Sequence, residues 1–136
     1  MAFMVWNDKL TVNIESIDAD HKRMVGMINE LYDAIAAGYS SVMIGTILDG
    51  LVDYTRYHFA REEKYFAMTG YLDAEAHKKE HDELTARVME IQEQRRNGTL
   101  AAPSLDVMVF LKDWLFEHII GSDLKFGPHL IAMGVQ

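Results

Sequence analysis

The chain has 136 residues, of which 49% are hydrophobic and 25% are charged, and its formal net charge at pH 7 is −8. This length fits one domain, residues 1–136, and the acidic balance argues against a nucleic-acid partner, which would need a basic surface. The sequence contains no cysteine, which excludes disulfides, thiolate zinc sites and iron–sulfur clusters. Residues 1–12 contain no long apolar run, so we predict neither a signal peptide nor a membrane span, and we expect a cytoplasmic protein.

Residues 1–17 are predicted to form an extended N-terminal arm, because their weak apolar alternation has no second strand to pair with. A first helix is predicted over residues 18–38, with Asp18 as its N-cap. Apolar side chains recur in this segment at spacings of three and four residues, which places them on one helix face. That face also carries His21 and, about one turn later, Met24.

Three more helices are predicted, over residues 41–68, 73–97 and 103–125. Gly70 is expected to stop the second helix, since glycine tolerates the left-handed conformation found after helix ends. Asp73 is a suitable N-cap for the third helix, and Pro103 suits the first turn of the fourth. The pair Gly127-Pro128 is expected to end the fourth helix. Four long helices with short links predict an all-α, up-down-up-down antiparallel four-helix bundle with an extended arm.

Histidines continue the apolar row of each predicted helix. His58 and Glu62 are four residues apart, as are His77 and His81, so each pair lies on one helix face. A buried imidazole without a partner costs about 1–3 kcal/mol, and a single core histidine is best explained by a structural hydrogen bond. Five histidines with two carboxylates on converging faces favour metal binding instead. The seven candidate ligands are His21, His58, Glu62, His77, His81, His118 and Asp123.

Asp123 fits this set only if the fourth helix is irregular. It follows His118 by five residues, which is about 140° around an ideal helix at roughly 100° per residue. Gly121 and Ser122 lie between the two candidates. We therefore predict a bulge or an early helix end at this point.

The number and type of candidate ligands indicate two metal ions. A structural zinc site takes about four ligands, and imidazole suits zinc, copper, iron and nickel. Two six-coordinate ions offer about twelve positions, of which five imidazoles, two bridging carboxylates and one solvent bridge fill about eleven. One position would stay open for a small diatomic molecule. Two Fe(II) ions would carry a charge that two carboxylates and a hydroxide reduce to about +1, which a buried site tolerates.

The order and spacing of these residues resemble the hemerythrin family, in particular the single-domain bacteriohemerythrins. The motifs that carry the resemblance are His21, His58-x-x-x-Glu62, His77-x-x-x-His81 and His118-x-x-x-x-Asp123. Segments 17–21 and 114–119 are also similar to that family. The resemblance covers the chain from Trp6 to about Phe126. It supports the fold and the metal site that the spacing predicts.

The resemblance implies two iron ions bridged by both carboxylates. His77, His81 and His118 would hold one iron, while His21 and His58 would hold the other, which keeps the open position. The implied function is reversible O2 binding for transport or storage, without enzymatic activity. An unidentified protein could receive the O2.

Reversible O2 binding requires a dry apolar wall near the metal. Five residues next to a candidate ligand or one turn away are candidates for this O2 pocket, although each suits an ordinary core equally well: Met24, Phe59, Trp114, Leu115 and Ile119. The family often has tyrosine three residues after the aspartate, whereas this chain has Phe126, which offers no hydroxyl for tuning the centre. His129 matches no part of the pattern and is predicted to lie on the surface.

Other functions stay open. A di-iron oxidase, a peroxidase, or a sensor of O2 or NO is the main alternative, but oxygen-activating di-iron bundles typically use about four carboxylates and two histidines. Storage of a metal such as zinc ranks last, because a buried site would exchange metal slowly. Glu63 and Glu80 are interpreted as parts of solvated helix faces. No large apolar stripe is apparent on the outer helix faces, so we expect a monomer.

Overall fold

The computed structural model describes residues 2–97 and 105–135, which form helices and no strand. The α-helices are α1 (Glu15–Ala36), α2 (Ser41–Thr69), α3 (Ala74–Arg96), α4 (Leu105–His118) and α5 (Leu124–Ala132). A five-residue π-helical turn, Ile119–Asp123, connects α4 directly to α5. Because these three segments form one continuous helix, the predicted all-α four-helix bundle is confirmed.

One layer of the apolar core shows how the four helices of the bundle align. Leu31, Leu48, Ile91 and Met108 come from α1 to α4 in turn, and each is at most 1% exposed. Each lies ten residues from a candidate ligand on its own helix, which is about 15 Å along the axis. The ligand precedes the core residue on α1 and α3 and follows it on α2 and α4, as antiparallel neighbours require. The candidate ligands of the four helices therefore share another level of the bundle.

The N-terminal arm contains a short 3₁₀ helix, Asp8–Leu10, and α1 begins at Glu15, earlier than predicted. The prediction that Asp18 caps α1 was wrong. Its carboxylate instead accepts hydrogen bonds from the Thr11 hydroxyl at 2.6 Å and from the Val12 backbone N–H at 2.8 Å. Asp18 therefore holds the arm against the helix, a long-range role that a capping pattern does not reveal.

The residues between α2 and α3 follow the predicted helix signals only in part. Gly70 ends α2 in the left-handed conformation with φ of +64°, as predicted. Asp73 precedes α3, but its side chain makes no capping hydrogen bond. Its carboxylate instead pairs with Lys125 Nζ at 2.7 Å. The start of the fourth helix predicted at Pro103 lies outside the described residues.

The prediction that Gly127-Pro128 ends the last helix was wrong, because α5 continues to Ala132. Gly127 is required for a close approach rather than for a stop, since a Cβ at this position would lie 2.7 Å from the Val12 carbonyl oxygen. Phe126 and Leu130 are both fully buried. Their burial stabilises α5 and offsets the lost backbone hydrogen bond of proline.

His129 is half-buried, so the prediction of a surface position was wrong. Its Nε2–H donates to the Thr69 carbonyl oxygen at 3.1 Å and lies 2.9 Å from the Thr69 hydroxyl. The ring also lies 5.1 Å from the Tyr71 ring. Because α5 continues beyond Pro128, it brings His129 onto the end of α2.

The outer face of the last helix exposes a row of apolar side chains. Leu105 is 59% exposed, Val109 41% and Phe116 43%. The expectation that the outer helix faces carry no apolar stripe was wrong. The α4 helix is apolar on two faces, so the periodicity of its inward residues does not reveal the apolar residues on its outer face. A monomer stays a prediction.

No helix in the described ranges combines the length and the hydropathy needed to cross a membrane.

Candidate metal centre

The structure brings all seven candidate ligands together inside the bundle, each at most 3% exposed. They form two groups that share one carboxylate, and within each group one ligand atom per residue lies within 4.8 Å of the others. The first group is Glu62, His77, His81 and His118, and the second is His21, His58, Glu62 and Asp123. Two groups with a shared member are the arrangement expected for two neighbouring metal positions.

The π turn brings Asp123 into the centre. The Leu124 backbone N–H donates to the Ile119 carbonyl oxygen, five residues earlier. This wider turn carries Asp123 back toward the face of His118, so its Oδ1 lies 3.3 Å from His118 Nε2. The structure thus contains the bulge that the five-residue spacing predicted.

The carboxylates lie between the two groups. Asp123 Oδ2 lies 2.9 Å from His21 Nε2, whereas its Oδ1 lies 2.9 Å from His77 Nε2. Glu62 Oε1 lies 3.4 Å from Nε2 of His58 and 3.0 Å from Nε2 of His81. Both carboxylates therefore contact imidazoles of both groups, which is the placement that a bridging ligand needs.

The side-chain oxygens and nitrogens of the centre are better placed to bind a cation than to form hydrogen bonds with one another. All four oxygens of Glu62 and Asp123 are buried, and among the described residues none makes a hydrogen bond of acceptable geometry. Two buried carboxylates left in this state are costly. Metal cations would compensate both charges and use the same lone pairs. The side chains present therefore fit a metal centre.

Charges within the centre shift several pKa values. Burial disfavours protonated His58, but the charge of Glu62 and a hydrogen bond to Asp20 outweigh it and raise the pKa of His58 to about 9. Burial also opposes protonation of His118, yet Asp123 raises its pKa to about 12. In the same way burial opposes ionisation of Asp123, and the histidines hold the pKa of this carboxyl well below its usual range. Protons would therefore compete with a metal ion for these candidate ligands.

Three carboxylates around the centre hold candidate ligand histidines at Nδ1. In each case the carboxylate lies on one helix and accepts a hydrogen bond from a histidine on another helix. The pairs are Asp20 with His58 at 2.9 Å, Glu63 with His81 at 3.1 Å, and Glu80 with His118 at 2.9 Å. Such contacts orient a ligand ring and raise its basicity.

The interpretation of Glu63 and Glu80 as purely solvated was therefore wrong, and the role of Asp20 was missed. Each of the three carboxylates directly adjoins a candidate ligand in the sequence. This adjacency was the available signal. Adjacency alone does not reveal the contact, because the histidine that each carboxylate holds lies on another helix.

Aromatic and aliphatic side chains surround the ligands. Phe59 stacks on the His81 ring at 3.9 Å, and Trp114 stacks on the His118 ring at 4.5 Å. Ile119 is fully buried in the π turn. The last two predicted wall residues, Met24 and Leu115, line an apolar cavity of about 20 Å³ together with Thr55 and other core side chains. Phe59 and Trp114 thus contact candidate ligand rings, whereas Met24 and Leu115 line a cavity that contains none of the seven candidate ligands. The role of all five residues in an O2 pocket stays a prediction.

Phe126 occupies the place where a tyrosine was expected from the resemblance. Its ring lies 4.7 Å from Phe66, edge-on, and 5.6 Å from the ring of His77. Phe126 is fully buried. It adds an apolar contact beside this ligand group and brings no hydroxyl.

Comparisons with known proteins agree with this geometry. Residues 12–130 match the family model of the hemerythrin HHE cation binding domain. The chain is 38% identical to a bacteriohemerythrin of Methylococcus capsulatus over 97% of its own length and 100% of that protein. It is 41% identical to a bacteriohemerythrin of Pseudomonas aeruginosa, over 93% of this chain and 80% of that one.

A solved structure of wild-type hemerythrin superimposes on 95% of this chain and 98% of its own, with a TM-score of 0.90 and 36% sequence identity. The structure of a hemerythrin point mutant covers 96% of this chain and 98% of its own, with the same TM-score of 0.90 and 36% identity. The resemblance identified from the ligand spacing is thereby confirmed. The chain belongs to the hemerythrin family, whose domain implies an iron-binding site.

Proposed function

We propose that this protein binds O2 reversibly at a di-iron centre, for oxygen transport or storage. The observation that carries the proposal is the pair of buried ligand groups that share Glu62 and are linked by Asp123. When bound, the iron pair would supply two electrons and an open coordination position, which is redox chemistry that side chains lack.

The two groups differ in their number of imidazoles, and this difference suggests where O2 would bind. His77, His81 and His118 belong to the first group, whereas His21 and His58 belong to the second. With the carboxylates shared, the second group offers one protein donor fewer. We therefore assign the open position to the side of His21 and His58.

The apolar side chains would make the binding reversible. Phe59 and Trp114 stack on two candidate ligand rings, and Met24 and Leu115 line an apolar cavity in the core. Excluding water and protons from the centre slows irreversible oxidation of the metal. The composition of the site, with five imidazoles and two carboxylates, also differs from oxygen-activating bundles, which use about four carboxylates.

The test is an absorption spectrum of iron-loaded protein that is reduced without air, exposed to O2 and then purged. A charge-transfer band that appears with O2 and disappears on purging, at two irons per chain, is the expected result. His58→Ala should abolish the band, whereas His129→Ala removes a histidine outside the centre and should retain it.

Other outcomes would contradict the proposal. A band that decays irreversibly to ferric protein would favour an oxidase, a peroxidase or a sensor. Tight binding of zinc with no response to O2 would favour metal storage.

The same proposal includes the location and the partner: a cytoplasmic monomer that delivers O2 to another protein.

A further inference from the structure

A polar cleft of about 150 Å³ opens at the surface where α3 begins and the π turn passes over it. Its lining includes Asp73, Glu80, Gly121, Ser122 and Lys125, together with the candidate ligand His77. Because His77 is only 3% exposed, the cleft extends from solvent to the wall of the first ligand group.

The groups in the cleft suit a cation. The Glu80 side chain is 40% exposed, and its Oε1 accepts hydrogen bonds from His118 Nδ1 at 2.9 Å and from the Ser122 hydroxyl at 2.8 Å. At the floor, the Nδ1 of His77 is buried and has no hydrogen-bond partner among residues 2–97 and 105–135. A carboxylate at the mouth is thus one imidazole ring away from the centre.

A cation cannot reach the centre through apolar packing. The apolar cavity next to Met24 and Leu115 is lined by aliphatic side chains, with Thr55 as its one hydroxyl among the lining residues. Removing the water shell of a divalent ion without replacing it by ligands costs far more than thermal energy supplies. An ion that enters or leaves the folded bundle therefore needs a polar path.

We infer that this cleft is the route by which Fe²⁺ reaches and leaves the centre, with Glu80 as the receiving carboxylate. An ion that binds the Glu80 oxygens competes with His118 and Ser122 for them, and this frees the His118 ring to turn toward the ion. Gly121 leaves the cleft wide at this point. The inference rests on the proposed metal centre and does not depend on whether O2 binds there.

Narrowing the cleft gives the sharpest test. A Cβ at Gly121 would meet no atom within 4 Å, so Gly121→Leu adds its side chain to the cleft without a clash at Cβ. Gly26→Leu is the matched control, because Gly26 is an exposed α1 glycine that also has no atom within 4 Å of its Cβ position. We expect Gly121→Leu to slow metal uptake about tenfold, equivalent to a barrier increase of about 1.4 kcal/mol, with the final stoichiometry unchanged.

The rate is measured by mixing metal-free protein with Fe²⁺ or Co²⁺ without air and following the change in tryptophan fluorescence, because the ring of Trp114 stacks on His118. Release from the loaded protein to a chelator gives the reverse rate. Equal uptake and release rates for Gly121→Leu and Gly26→Leu, at full stoichiometry, would overturn the route. If the parent protein takes up no metal, the proposed centre fails and the route fails with it.

A second variant tests Glu80 directly without relying on the folding of Gly121→Leu. Glu80→Gln removes the charge but keeps an oxygen for His118 and Ser122, and we expect about tenfold slower uptake at low salt, with a smaller difference at high salt. Glu63→Gln makes the same change at the carboxylate that holds His81 and that does not line this cleft. An equal loss in both variants would assign the effect to ligand positioning and overturn the role of Glu80.

Discussion

Asp20 illustrates how much one buried side chain contributes to this centre. Its carboxylate accepts hydrogen bonds from His58 Nδ1 at 2.9 Å and from the Tyr54 hydroxyl at 2.8 Å, and it pairs with Arg61 Nε at 2.9 Å. Asp20 is only 3% exposed. Removing this buried charge would deprive all three partners of their contact with it.

Asp20→Ala is therefore expected to lower the free energy of unfolding of the metal-free protein by about 2–3 kcal/mol. Metal affinity should fall about 10–100-fold, because His58 loses the contact that orients its ring. Urea unfolding and metal titration measure the two effects. Lys78→Ala is the control, since it removes an exposed ion pair with Asp82, and it should change neither quantity. Wild-type metal affinity in Asp20→Ala would contradict the positioning role.

The raised pKa of His58 predicts how pH affects the metal-free protein. The pKa of His58 is about 9 in the folded protein, whereas its ordinary value is 6.5. Protonated His58 therefore contributes stability that is fully present below about pH 6.5 and is lost as pH rises through 9. The urea midpoint of metal-free protein should therefore fall between about pH 7 and pH 10. Iron-loaded protein should lack this decrease, because metal has replaced the proton. A constant midpoint of the metal-free protein over this interval would contradict the shift.

Among the helices, the last one departs most from regular geometry. The π turn, Ile119–Asp123, inserts one residue relative to an α-helix, and the helix then continues to Ala132. In a π turn, residues five apart take the relative position that residues four apart have in an α-helix. The five-residue spacing of His118 and Asp123 therefore depends on this turn.

Deletion of Ile120, which is 37% exposed, should convert the turn to regular α-helix and leave His118 and the aspartate four residues apart on one face. We expect this variant to fold and to bind metal at the parent stoichiometry. Deletion of Phe116, which is 43% exposed and lies within α4, should rotate the following ligands by about 100° and abolish binding. Circular dichroism and metal analysis distinguish the two. Loss of metal binding in both deletions would show that the π turn itself is needed.

The arm and α5 approach each other closely at Gly127. A Cβ there would lie 2.7 Å from the Val12 carbonyl oxygen, so Gly127→Ala should destabilise the protein by about 1–3 kcal/mol through overpacking. Gly26→Ala has open space around the new Cβ and should stabilise the protein by about 0.5–1 kcal/mol, because glycine costs more entropy within a helix. Urea unfolding of both variants measures the difference. Equal stabilities would contradict the close contact.

Considered as a whole, the bundle places its costliest groups at one level. Five histidines and two carboxylates, each at most 3% exposed, replace apolar side chains that would otherwise fill that part of the core. Much of the stability of the folded protein should therefore depend on metal that binds the folded state alone.

Iron is expected to raise the free energy of unfolding by about 2.7 kcal/mol when its free concentration is about 100 times its dissociation constant. Thermal unfolding under argon, with iron and then with an added chelator, measures the difference. His58→Ala should show a smaller gain, since it lacks one ligand, and His129→Ala should show the full gain. A midpoint that does not depend on iron would contradict a centre within the fold.

Local patterns predicted most of the candidate centre. Spacings of four residues within single helices placed His58 with Glu62 and His77 with His81, because the geometry of an α-helix determines which residues share a face. The same periodicity predicted four helices and their inward faces. The family resemblance followed from the order of these ligands and not from any contact between helices.

The remaining features depend on contacts between distant parts of the chain. Asp18 binds the arm instead of capping α1, and Gly127 faces Val12 instead of ending the helix. Local propensity is worth at most a few kcal/mol, and burial and packing override it where the chain folds back on itself. Glu80 and the polar cleft likewise depend on the last helix, which lies beside α3. Helical periodicity predicts which residues share a face of one helix, but it does not predict which other helix packs against that face.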